Sequence, residues 1–119
     1  MAQTLYDAMQ NHGLSAGDVV VSKAGHDLGT ALLVLSVDPP FARLADGTLR
    51  RYACPKRKRL SHVRRIGRID DAEREFERVA SIRDGPTREA AVRGLLVEFF
   101  IKEGKGSDLQ SPEGGERDA

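Results

Sequence analysis

The chain has 119 residues, 39% hydrophobic and 5% aromatic with no Trp, which suits one domain with a modest core. Its formal net charge is +1, and its single cysteine, Cys54, excludes an internal disulfide, so a cytoplasmic setting is expected. No apolar run approaches the length needed to span a bilayer, and no positive start followed by an apolar stretch marks a secretory leader, so no membrane partner is expected.

Residues 1–16 read as an N-terminal arm. Leu5 and Met9 are four apart, and Gly13, after His12, is placed to end a short helix. Residues 17–67 read as a β domain. Asp18-Val19-Val20-Val21-Ser22 is short and β-branched. Gly25-His26-Asp27-Leu28-Gly29 is turn chemistry. Thr30 to Val37 is a second apolar run of strand length, stopped by Asp38-Pro39-Pro40. Phe41 to Ala45 alternates apolar and polar residues, Asp46-Gly47 signals a hairpin, and Thr48 to Tyr52 is expected to run back as a fourth strand. Lys56 to Arg59 is expected to be a loop, and Leu60-Ser61-His62-Val63 a fifth strand. Short strands at this spacing, joined by Gly and Pro turns, point to a small barrel of SH3-like size.

Residues 68–103 change character. Asp70 and Glu73 form a variant capping box before Ala72, Phe76, Val79 and Ala80, which share a helical face. Gly85 is expected to end that helix and Pro86 to start the next. Val92, Leu95, Leu96, Phe99 and Phe100 form an apolar stripe, and Gly94 within it is expected to mark a close packing contact. The pattern is an antiparallel helical hairpin. Its stripe must cover the first helix, the barrel or another copy of the chain. From 104 to 119 the composition of Gly, Ser, Pro and charge reads as a disordered acidic tail. The fold class expected is therefore α+β, mainly β.

The near-neutral total conceals a polarised chain. Between Arg43 and Arg68 ten Lys or Arg accompany one acid, Asp46, whereas residues 69–119 hold eight basic and thirteen acidic residues. A positive field of this size ordinarily meets a polyanion. The candidate phosphate contacts are Arg43, Arg50 and Arg51 on the flanking strands, the block Lys56, Arg57, Lys58 and Arg59, and the extension Arg64, Arg65 and Arg68. The competing reading of such a run is a solvated face or a targeting peptide. Tyr52 and Phe41 can stack on bases, but with so few aromatics both are expected in the core. His62 reads as a strand residue among cations. Cys54, His26 and His62 lack the spacing of a metal site, so no metal is expected. There is no Gly-x-Ser-x-Gly and no phosphate-cradling loop, so neither an enzyme nor a cofactor is expected.

The run from Gly17 to Thr30, together with Leu44-Ala45-Asp46-Gly47-Thr48-Leu49-Arg50-Arg51 and Pro55-Lys56-Arg57-Lys58-Arg59, resembles the bacterial KOW-domain RNA-binding proteins. That family is related to archaeal and eukaryotic large-subunit ribosomal proteins with the same barrel. The resemblance covers about residues 16–66. It implies an SH3-like barrel that binds RNA, with ribosomal RNA the expected partner, Gly29 as the motif glycine and Lys56 to Arg59 as the backbone-contacting block. His26 and Leu28 stand where the family often carries basic residues. Phosphate chemistry alone does not separate RNA from DNA. The alternative function is a protein-interaction adaptor, or a self-associating chain, that docks through the helical stripe.

Overall fold

A single antiparallel sheet backed by two helices is the architecture of the computed structural model, which describes residues 13–104. The arm before Gly13 and the acidic tail after Gly104 lie outside the described residues. The strands are β1 (Asp18–Ser22), β2 (Ala31–Asp38), β3 (Phe41–Ala45), β4 (Lys56–Arg59) and β5 (Val63–Arg68), with a 3-10 turn at Leu60–His62. The helices are α1 (Ala72–Ser81) and α2 (Gly85–Lys102). The sheet order is β4-β3-β2-β1-β5. The sheet is open: β4 and β5 are its edges, so the strands do not close hydrogen-bond by hydrogen-bond into the expected barrel. The α+β class, with strands leading, is as expected.

Alternation along the strands divides the core in two. Val19, Leu33 and Ala45 point to one face, where Ile69, Ala72, Val79, Val92, Leu95, Leu96 and Phe99 cover them. Val20, Leu32, Val34, Ala42 and Leu44 point to the other, closed over by Leu14, Leu60 and Val63. Leu14 thus ties the end of the expected arm into the core. The α2 stripe is spent on the sheet and α1, so it is not a free docking surface. Val97 and Ile101 are the large apolar side chains that α2 leaves exposed. An added Cβ at Gly94 meets nothing within 4 Å, so the expected close contact there is absent.

Three strand and turn expectations are corrected. Thr48 to Tyr52 is not a strand. The Asp46 carboxylate accepts from the backbone N–H of Thr48 at 2.8 Å and of Arg50 at 3.0 Å, and the Arg50 carbonyl accepts from the Asp46 and Gly47 amides. The side chain captures donors that a ladder needs, and the chain closes into a tight loop. Lys56–Arg59, expected as a loop, is β4, with Phe41 opposite Arg59, Ala42 opposite Lys58, Arg43 opposite Arg57 and Leu44 opposite Lys56. An edge strand tolerates such charge because one side of it stays in water. The segment Leu60 to His62 turns rather than extends, with the Leu60 amide bonded to the Pro40 carbonyl, and the fifth strand begins at Val63.

The helix boundaries shift as well. Asp71, not Asp70, precedes α1, in the left-handed region with φ 49° and without a side-chain cap. Asp70 instead pairs with Lys102 at 2.8 Å. Gly85 opens α2, where the Asp84 side chain caps the helix by accepting from the Thr87 N–H at 2.9 Å. Among the described residues, no helix is long and apolar enough to cross a membrane.

Candidate nucleic-acid interface

The pleat of β4 decides what its four cations can do. Neighbouring side chains in a strand point to opposite faces. Arg57 and Arg59 are exposed, whereas Lys58 is buried. The Lys58 ammonium reaches the Asp27 carboxylate at 2.8 Å and the Ala24 carbonyl at 2.9 Å. Asp27 also accepts from the Ser22 hydroxyl at 2.8 Å. Burial pushes the Asp27 carboxyl up, but the hydrogen bonds from Lys58 and Ser22 and the Lys58 charge outweigh it and hold it below the usual carboxylate value. The buried group therefore stays ionised, and it pins the Gly25–Gly29 turn to β4. Lys58 is a structural lysine, not a phosphate contact.

Three more of the expected contacts are committed to carboxylates. Arg50 Nε lies 3.7 Å from Asp27 Oδ2. Arg65 Nε lies 3.2 Å from Asp18 Oδ1, which Arg68 also meets, at 3.1 Å. Asp18 is itself buried, so it needs those partners more than they need it. Six expected residues remain: Arg43, Arg51, Lys56, Arg57, Arg59 and Arg64. None of the six makes an ion pair among the described residues.

Three of the six converge. Arg43 on β3 stands directly opposite Arg57 on β4, and Arg59 stands opposite Phe41. Like charges set opposite one another on a sheet are destabilising. The face has accepted that cost without placing an acid between the two. Phe41 is half-buried and belongs to neither apolar cluster, contrary to its expected core role. The Arg57 guanidinium carbon lies 3.8 Å from its ring centroid and that of Arg59 lies 5.1 Å away. Each cation–π contact at an exposed site is worth about 0.5–1 kcal/mol, so the ring holds both guanidinium groups in place. Tyr52 does pack against the helix-side core, under Arg88 at 5.6 Å.

The other three stand apart. Arg64 is on β5, at the far edge of the sheet, Arg51 lies in the loop after the Asp46-Gly47 turn, and Lys56 points to the face opposite Arg57. That loop is fixed by α2: Glu89 accepts from the backbone N–H of Tyr52 at 2.7 Å and of Ala53 at 3.1 Å. No family model matches the chain, and no curated protein matches it. Among the described residues, no three His, Cys, Asp or Glu side chains gather in a way that would hold a metal ion.

Sequence reasoning missed three participants. Asp27 and Asp18 are lone acids beside the basic region, and each consumes cations that had been counted as free. Phe41 sits two positions before Arg43, on the same face of β3, and that spacing was the signal for its place among the arginines.

Proposed function

We propose that this chain is a non-catalytic, cytoplasmic RNA-binding protein of the KOW type, associated with the ribosome, whose sheet belongs to the SH3-like barrel class. What carries the reading is the cluster of Arg43, Arg57 and Arg59 on one sheet face, with no carboxylate partner among the described residues. A polyanion is the ligand that relieves their mutual repulsion, and guanidinium groups fork onto phosphate oxygens. The choice of RNA over DNA rests on the KOW resemblance.

Salt dependence tests the reading. Each neutralised phosphate adds about −0.7 to the log–log slope on a single strand, so three contacts predict a slope of about −2 and all six free cations about −4. Substituting Arg43, Arg57 and Arg59 together by Glu is expected to abolish measurable binding to labelled RNA at moderate salt. Unchanged affinity and slope in that variant would remove the cluster from the interface. Ultraviolet crosslinking in cells addresses the partner. Reads focused on large-subunit ribosomal RNA are the expected result, and reads scattered at background refute ribosome association.

A further inference from the structure

Among the described residues, Phe41 is the aromatic side chain that lies outside both apolar clusters. It opens β3 and lies against the guanidinium groups of Arg57 and Arg59 instead. The Arg57 guanidinium carbon lies over the ring, 3.8 Å from its centroid, and Arg57 is itself exposed. A guanidinium plane lying on a ring covers one of its own two faces and offers the other, together with its edge donors. The surface presented is therefore an aromatic ring overlaid by guanidinium charge. Arg43 stands across the strands from Arg57, and Arg59 across from Phe41, so a positive charge flanks the stack on each side.

Flat π-surfaces of this kind suit a nucleobase, whose own faces stack on aromatic rings and on guanidinium planes. A base inside a continuous duplex has both faces occupied by its neighbours. A-form RNA also presents only 2′-hydroxyls, base edges and phosphates to a protein. An arginine edge strand that served only to prevent sheet-to-sheet pairing would need charge alone, and Lys would serve as well. The stacked geometry around Phe41 goes beyond that need.

We propose that Phe41 and Arg57 form a stacking platform for an unpaired nucleobase, with Arg43 and Arg59 holding the phosphates on either side. The preferred ligand is then single-stranded RNA, or a loop or bulge, and not a continuous duplex. This rests on the RNA-binding reading above and names the form of RNA that the site takes.

The test uses the full chain and fluorescence anisotropy, at one fixed salt concentration. The probes are a labelled single-stranded RNA of about 12 nucleotides and mixed sequence, and the blunt duplex made from it. Phe41→Ala and Phe41→Leu are expected to weaken single-strand binding by about 5- to 150-fold, the range for loss of one base–aromatic stack, while Phe41→Tyr binds as the unsubstituted chain does. Duplex binding should fall by much less than single-strand binding, because losing the ring loosens the arginine–phosphate contacts without removing them. Because Phe41 lies outside both apolar clusters, its Leu variant keeps the fold, which thermal melting checks. Single-strand affinity within about twofold of the original in both variants overturns the platform, as does an equal loss on duplex, which would give Phe41 only the task of holding the arginines. The variant with Glu at 43, 57 and 59 separates the two levels. If it loses binding while Phe41→Ala does not, RNA binding stands and stacking falls. If the unsubstituted chain binds neither probe, both fall.

Discussion

Replacing Lys58 by Met tests the division of the basic block into structural and free members. The substitution keeps most of the stem and removes the ammonium that sits 2.8 Å from Asp27 in the interior. Removing one partner of a buried pair costs about 3–5 kcal/mol, because the other charge is left uncompensated. Ser22 still donates to Asp27, and Arg50 Nε at 3.7 Å can close on its second oxygen, so the low end, about 3 kcal/mol, is expected. With a urea slope of about 1.5 kcal/mol per molar, the unfolding midpoint falls by about 2 M. The pH dependence gives an independent check. In the original chain the Asp27 carboxyl is depressed, so its contribution to stability is present above the unfolded-state value and is lost as pH falls through the folded one. Without Lys58, burial acts with less opposition and raises the carboxyl. The deficit of the variant is therefore largest near neutrality and narrows as the medium is acidified and Asp27 takes a proton. Affinity for RNA, measured on the folded variant, should stay within about twofold, since the lost charge faces inward. A midpoint drop below about 0.5 M, or a deficit that stays constant from about pH 7 to 4, refutes the argument.

Glu89→Ala is expected to leave the amides of Tyr52 and Ala53 without an acceptor and to cost about 2 kcal/mol, with faster hydrogen exchange at those two amides. Glu89→Gln keeps one side-chain carbonyl and should recover about half of that loss. Two glycines should respond in opposite directions to Ala. At Gly47, with φ 83°, an added Cβ would collide with the Glu89 carbonyl oxygen, and a loss above about 2 kcal/mol by chemical denaturation is expected. Gly94 is exposed within α2 with open space around it, so Gly94→Ala should gain about 1 kcal/mol and raise the melting temperature by several degrees.

β3 and both helices were legible because their apolar residues carry a period, and β1 and β2 because they are short β-branched or apolar runs bounded by Gly and Pro turns. β4 was not. Its four consecutive cations have no alternation to read, and it is a strand only because β3 supplies partners across the ladder. Thr48 to Tyr52 had the composition of a strand, but its fate was decided by one side chain, Asp46, that bonds its backbone locally. The site was legible as a charge excess and not as a surface. Which of Arg57, Lys58 and Arg59 face water depends on register, which follows from the pairing of β4 with β3 rather than from composition. The scarcity of aromatics argued for a core Phe41, and that argument overlooked its even spacing from Arg43.

The apolar cluster on the helix side does not respect the boundary between strands and helices. It takes Val19, Leu33 and Ala45 from the sheet and Val92, Leu95, Leu96 and Phe99 from α2. A chain ending after β5 would leave those three sheet residues facing water, and Glu89 would no longer grip the loop that delivers the backbone into β4. The helices contribute none of the clustered arginines, yet they fix the approach of the strand that bears two of them. If the arginine face binds RNA as proposed, a substitution at Val92 or Glu89 should weaken that binding from a distance, by loosening the strand rather than by touching the ligand.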